Sequence, residues 1–313
     1  MSTVVVEAPG LLTTVQDLGR VGYGPMGVSP SGAADPVALQ FANLLVGNER
    51  GAAALEMTLT GGRFHFPNGA VVAMAGSDFA AHHDGRVLEM WIPHAISPGG
   101  TISFGATQSG ARCYLAIAGG IQVKPFLGSA STHLVSGQGG FEGRALRKGD
   151  VLRFEPTRKP MRRRKIAGRA VEAWQPRKLL RVTKGPQFEG FPKEAQKGLF
   201  ESAYTVTEES DRLGLRLHGP LLPATSFYGM ITEGVTLGAI QVTPSGQSII
   251  LFVEQQTTGG YPKIANVIGA DLSSLGQLRP RDSVHFELVS LETARALWVE
   301  QQAMLADVEG LFA

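Results

Sequence analysis

A single cysteine, Cys113, stands among the 313 residues of the chain. One thiol excludes an internal disulfide framework and points to a reducing compartment. Long apolar runs are also missing, since none approaches the ~18 residues of a membrane span. The opening MSTVVVEAPG has no signal-peptide core. These absences predict a soluble cytoplasmic protein. No HExxH, no paired CxxC and no GxxxxGK[ST] occurs, so neither a zinc motif nor a P-loop is present. His82 and His83 are adjacent in a strand-like run, where neighbouring side chains point to opposite faces. With the Asp84-Gly85 turn signal they read as surface histidines at a hairpin rather than metal ligands. A Met-Lys-Met segment of the kind that carries biotin is absent as well.

Aromatics are few, whereas 40 glycines and 18 prolines predict many turns and short strands. The net charge of +2 hides an uneven distribution. Arg158, Lys159, Arg162, Arg163, Arg164, Lys165 and Arg169 are crowded into one stretch without an acid. Removing those seven from the 29 lysines and arginines leaves 22 against 27 acids. A basic run can meet nucleic acid or acidic lipid. This one lacks interleaved aromatics and lies between structured regions, so it reads as a solvated linker. No nucleic-acid or membrane partner is expected.

Length favours about two domains. Early in the chain, Gln16, Asp17 and Arg20 lie among glycines, and a turn-rich loop (GVSPSG, 27–32) follows. Asp35 can cap a helix that Pro36 starts and Gly47 ends, and its residues are apolar on nearly every side, which predicts a buried helix over 35–46. The backbone around Ser31 and Gly32 either receives an anion or is already satisfied by Asp35. From Leu55 to Phe154 the chain breaks into short apolar runs such as Ala70–Ala75, Val87–Ile92, Thr101–Phe104 and Cys113–Ala118. That rhythm predicts antiparallel β structure in a barrel or closed sandwich. Gly/Ser-rich loops at 128–133 and 137–144 offer places for phosphate or another anion.

An internal echo divides the chain. Leu146 to Phe154 reads LRKGDVLRF, and Leu278 to Phe286 reads LRPRDSVHF; each follows a strand and a diglycine. Two related β units are therefore expected: residues 1–157 with the helix at 35–46, a basic linker at 158–177, and 178–313. Ser290 can cap a last amphipathic helix, about 291–309, built on Leu291, Ala294, Leu297, Trp298, Leu305 and Val308.

The second unit holds the stretch with most chemistry, Val253 to Lys263, VEQQTTGGYPK. Strand-like Ile249 to Val253 give way to Glu254, Gln255, Gln256, Thr257 and Thr258, then Gly259-Gly260 and Tyr261-Pro262-Lys263. A diglycine allows positive φ and close approach of backbone N–H groups to a ligand. A hairpin turn with a polar rim is the other reading.

Long ordered segments resemble one family: TTVQDLGRVGYGPMGVSPSGAAD (13–35), LAIAGG with GSAST (115–132), SDRLG (210–214), GAIQVTPSG (238–246) and QTTGGYPKIANVIGADL (256–272). It is the carboxyltransferase-type family of allophanate hydrolase subunit 2, which includes the antagonist of the sporulation kinase inhibitor and the 5-oxoprolinase C subunit. Ser29, Thr243 and Ser248 stand where the family usually has proline, Glu254 where aspartate is usual, and Arg281 where glycine is common. The resemblance implies cyclophilin-like β-barrels. It also implies a partner that completes the site, either the B subunit or an allophanate hydrolase subunit 1-like protein. A further candidate partner is the LamB/YcsF-type A subunit.

Relatives act on an N–C=O unit, in urea, the ureido ring of biotin or the lactam of 5-oxoproline. Amide and hydroxyl side chains suit such a group because they both donate and accept. Gln16, Gln241, Gln255, Thr257, Thr258, Tyr261 and Ser31 have that character. Arg20, Arg212, Lys263 and the Gly259-Gly260 backbone are candidates to stabilise charge on the carbonyl oxygen. Asp17, Glu233 and Glu254 are the candidate proton acceptors. Gln16, Asp17 and Arg20 are expected to reach the same cleft from the first unit. The first functional reading is the C subunit of an ATP-dependent 5-oxoprolinase, with ATP and magnesium at a site shared with the partner. The alternatives are half of a biotin-dependent carboxyltransferase for urea or a similar amide, and a regulatory protein that sequesters its partner. Under the enzymatic readings, Lys263→Ala and Arg212→Ala are expected to keep the fold and lose turnover by about 10²–10³.

Overall fold

The computed structural model describes residues 1–156, 164–224, 227 and 229–313. They divide into two compact units. The first comprises Met1–Arg20, Ser31–Gln175 and Asp307–Ala313; the second comprises Val21–Pro30 and Pro176–Ala306. The units are thus interleaved in sequence rather than divided at a single linker. Local bonds explain both exchanged pieces. Ser29 Oγ donates to the Val253 carbonyl at 3.1 Å within the second unit. In the first, the tail is held by Ala167 N–H to the Leu311 carbonyl at 2.8 Å and by an Ile166–Phe312 bridge. The expected solvated linker lies partly outside the described residues (157–163). Beyond it the expectation fails, because Ile166, Ala167, Ala170 and Trp174 are apolar residues dispersed among the basic ones, and all are buried.

The strands of the first unit are β1 (Ser2–Ala8), β2 (Leu12–Gln16), β3 (Ala54–Thr58), β4 (Arg63–Phe66), β5 (Ala70–Gly76) and β6 (His82–His83). They continue with β7 (Arg86–Val87), β8 (Pro93–Ile96), β9 (Gly100–Ser103), β10 (Arg112–Ile117), β11 (Ile121–Gln122) and β12 (Val151–Phe154). Seven strands form one sheet in the order β11-β12-β1-β4-β9-β6-β7, and five form another, β2-β3-β10-β5-β8. Alternation sets the core between them. In β4 and β12 the phenylalanines and Leu152 are buried while Arg63, Val151 and Arg153 are exposed. Central strand β10 is buried at every position. Its Cys113, Leu115 and Ile117 join the core cluster, and α1 (Pro36–Leu45) packs on the sheet at β5 and β10. Asp35 caps α1 by accepting from Ala38 N–H at 3.0 Å, and Pro36 opens it. The run Val87–Ile92 departs from expectation. It leaves the strand after Val87 because Trp91 turns to φ 68°. The turn places the Trp91 ring edge-on to Phe41 and to Trp174 of α2 (Gly168–Trp174).

The second unit contains β13 (Leu179–Lys184), β14 (Tyr204–Val206), β15 (Gly214–His218), β16 (Glu233–Gly234) and β17 (Ala239–Val242). Then follow β18 (Ser248–Leu251), β19 (Thr258–Gly259), β20 (Lys263–Val267) and β21 (Ser283–Leu288). Seven of these close a barrel, β13-β20-β17-β18-β15-β14-β21, sealed by parallel pairing of β13 with β21. β16 and β19 form a separate two-stranded ladder. Helices α3 (Lys193–Glu201), α4 (Leu272–Leu275) and α5 (Leu291–Ala306) complete the unit. Ser290 Oγ accepts from Thr293 N–H at the start of α5. The helix stops at Ala306, short of the expected 309, and only Leu305 is fully buried along it; Leu291 and Trp298 remain exposed.

The echoed sequences build the same local structure. Arg147 N–H donates to Asp150 Oδ2 at 2.7 Å, and Arg279 N–H donates to Asp282 Oδ2 at 2.9 Å. Leu146 and Leu278 are buried before the turn, as are Phe154 and Phe286 after it. The third turn position is Gly149 at φ 92° in the first unit and Arg281 at φ 72° in the second. A side chain is strained there, which gives a physical reason for glycine at this place.

Candidate functional site

The stretch 253–263 leaves β18 and returns to the barrel as β20. Its first half extends the sheet: Phe252 N–H donates to the Leu213 carbonyl and Glu254 N–H to the Arg212 carbonyl at 2.8 Å. Val235 N–H then reaches the Thr257 carbonyl, and Thr258 and Gly259 pair with Gly234 and Glu233. Neither Gly259 nor Gly260 takes a left-handed φ, so the expected positive-φ turn is not formed. Gly259 answers a different need. A Cβ there would meet Gln241 Nε2 at 2.6 Å, so the missing side chain makes room for that amide.

Two ion pairs flank the stretch, and burial separates their roles. Arg212 Nε meets Glu254 Oε1 at 2.5 Å, with side chains only 5% and 1% exposed. These charges neutralise each other away from water and tie the stretch to the 210–214 segment. Lys263 is also buried, but its ion-pair partner Glu233 is 42% exposed. Oε1 of Glu233 receives both Lys263 Nζ and Gln187 Nε2, the latter at 2.7 Å. The Lys263 and Gln187 hydrogen bonds hold the Glu233 carboxyl below the usual glutamate range. A carboxylate so stabilised is a weak base, suited to accepting an N–H hydrogen bond rather than removing a proton.

Amides line the same region. A register shift between Ile240 and Gln241 sets Gln241 opposite Lys263 on β20. Gln241 is buried, donates to the Tyr261 carbonyl at 3.4 Å, and accepts from Gln256 Nε2 at 3.3 Å. Gln255 is buried with an Oε1 that accepts no hydrogen bond among the described residues. Thr258 and Tyr261 are exposed, and Thr257 is half-buried. Gln187 and Gln256 were not singled out from the sequence. The Gly185-Pro186-Gln187 turn was visible, but its partner lies 76 residues away.

In the first unit, Gln16, Asp17, Arg20 and Ser31 form a cluster of their own around residues 129–132. Asp17 accepts from Ser129 Oγ at 2.6 Å, Ala130 N–H at 2.6 Å and Ser131 Oγ at 2.5 Å. The donors expected to receive a phosphate therefore already hold this carboxylate. Gln16 Nε2 and Ser31 Oγ both donate to the Thr132 carbonyl, at 3.2 and 2.7 Å. Arg20 Nη2 donates to the Ser131 carbonyl, and the guanidinium lies 5.4 Å from the Phe126 ring centre. The start of α1 is likewise satisfied from within. Ala34 N–H meets Glu56 Oε2 at 2.8 Å, Asp35 N–H meets Tyr114 Oη at 2.7 Å, and Trp174 Nε1 donates to Asp35 Oδ2. Gln16, Asp17, Arg20 and Ser31 thus all bond to one loop of their own unit.

Residues 26–288 match the family described as carboxyltransferase domain, subdomain A and B. The chain is 38% identical to the 5-oxoprolinase C subunit of Escherichia coli, over 94% of this chain and 93% of that protein. It is 33% identical to urea amidolyase of Saccharomyces cerevisiae over 99% of its own length, but spans only 18% of that protein. Among solved structures, the urea amidolyase of K. lactis superposes with a TM-score of 0.89 at 29% identity, covering 99% of this chain and 21% of the other.

Proposed function

The chain belongs to the family of carboxyltransferase domains with subdomains A and B, and from that membership we propose that it is the C subunit of an ATP-dependent 5-oxoprolinase, which opens 5-oxoproline to L-glutamate. One observation carries the choice: the correspondence extends along 93% of the oxoprolinase chain, against about a fifth of urea amidolyase. In this reading the chain binds and polarises the lactam, and the site is completed by the B subunit. The Lys263 ammonium stabilises negative charge developing on the lactam oxygen. Glu233, kept ionised by Lys263 and Gln187, accepts the ring N–H. Gln241 and Gln256, hydrogen-bonded to each other, stiffen the polar stretch beside this pair. Thr257, Thr258 and Tyr261 form the exposed rim. Arg212 and Glu254 keep the stretch in place.

Among the described residues, the loop expected to take a phosphate has no room for one. The sequence has no P-loop, and the Gly/Ser loop that suggested a phosphate site is filled by Asp17. In this reading the nucleotide and its magnesium are held at a site shared with the partner protein.

A biotin-dependent carboxyltransferase acting on urea is the second reading, favoured by the superposition on urea amidolyase over 99% of the chain. The deciding experiment copurifies the chain with its cognate partners and measures ATP-dependent glutamate release from 5-oxoproline. Release by the complex, and none by the chain alone, is expected. Biotin-dependent carboxylation of urea without glutamate release would replace the first reading with the second.

A further inference from the structure

Gln187 touches the Lys263–Glu233 pair at three points. Its Oε1 accepts Lys263 N–H at 3.0 Å, its Nε2 donates to Glu233 Oε1 at 2.7 Å, and its own N–H donates to the Lys263 carbonyl at 3.3 Å. The preceding turn is built for this approach. Gly185 N–H donates to the Ile264 carbonyl, and a Cβ on Gly185 would meet the Lys263 carbonyl oxygen at 2.2 Å. The primary amide of Gln187 provides a donor and an acceptor on the same planar group. Leucine at this position has neither, and glutamate keeps the acceptor but loses the donor.

We propose that Gln187 is the positioning residue of the site: it fixes the Lys263 backbone and turns Glu233 so that Oε1 is held inside the protein and Oε2 faces a substrate N–H. Among the described residues both partners of this carboxylate converge on Oε1. Glu233 is partly exposed, so its other oxygen is open to an incoming donor. Lys263, from β20, is the charge that faces Glu233; across the short ladder, Thr258 and Gly259 carry none. The nature of the N–H group rests on the oxoprolinase reading, whereas the bracket itself does not.

The test uses the full chain labelled with ¹³C-glutamate, with the Glu233 carboxyl signal assigned by its loss in E233Q. Its titration midpoint is compared in the wild type, Q187L and Q187E. In Q187L the midpoint rises toward the ordinary glutamate range. In Q187E it rises further, because the new carboxylate repels Glu233 instead of donating to it. With cognate partners, kcat for 5-oxoproline falls roughly 10–100-fold in both variants, the scale of a misplaced reacting group. A residue that merely supports the fold would lower the melting temperature without moving the midpoint. If Q187L does not fold, Q187E carries the comparison, since it keeps the volume and the acceptor for Lys263 N–H. Equal midpoints in folded wild type and variants would overturn the proposal. Shifted midpoints in an enzyme without 5-oxoproline turnover would sustain it and overturn the oxoprolinase reading instead.

Discussion

Arg212→Ala is expected to damage the fold before it affects chemistry. The guanidinium lies 2.5 Å from Glu254, and neither side chain is more than 5% exposed. Truncating Arg212 leaves the Glu254 carboxylate buried without its cation, a loss that costs about 3–5 kcal/mol. At roughly 3 °C per kcal/mol for a unit of this size, the melting temperature should fall by about 10–15 °C. Replacing both members has a different consequence. In Arg212→Met with Glu254→Leu no charge remains to be desolvated, so most of the loss should be recovered. Urea unfolding of the wild type, the two single variants and the double variant measures the coupling directly. An Arg212→Ala protein within about 1 kcal/mol of wild type, with a double variant no more stable than the singles, would refute the support role. It would also return Arg212 to the catalytic groups.

Lys263→Ala differs because its partner Glu233 is partly exposed and water can solvate the orphaned carboxylate. Turnover of the reconstituted enzyme should fall by about 10²–10³ while urea stability changes far less than in Arg212→Ala. Arg281→Gly should stabilise the second unit by up to about 1 kcal/mol, since it relieves φ 72° and gives up only an exposed pair with Glu208; a chemical melt checks the sign. The Arg144 bond depresses the Asp150 carboxyl below its usual range, so its contribution to stability is complete above the ordinary aspartate pKa. That contribution is lost as pH falls through the lower folded value, so the stability gap between wild type and Asp150→Asn should narrow as pH falls below the ordinary aspartate range.

What could be read in the sequence was local. Asp35, Pro36 and Gly47 mark α1 because capping, fixed φ and left-handed release act within a few residues. The LRxxD echo, read as a sign of two related β units, is local too: each aspartate bonds to a backbone N–H three residues before it. Strand alternation likewise revealed a mostly β chain. The site was legible only as a list of residue types. Whether Glu254 is a base or half of a buried pair depends on Arg212, 42 residues away, and on exclusion of water from both. The partners of Asp17 were equally hidden, because Ser129, Ala130 and Ser131 reach it across more than a hundred residues. Gln187 was legible only as part of a Gly-Pro-Gln turn, because its importance arises at Lys263, on another strand of the barrel. The polar stretch 253–263 was visible from composition, but the strain-free glycines, the register shift at Gln241 and the exchange of Val21–Pro30 between units come from long-range pairing. Burial and hydrogen-bond partners are properties of the closed chain, and they decide which charges are structural and which remain available to a substrate.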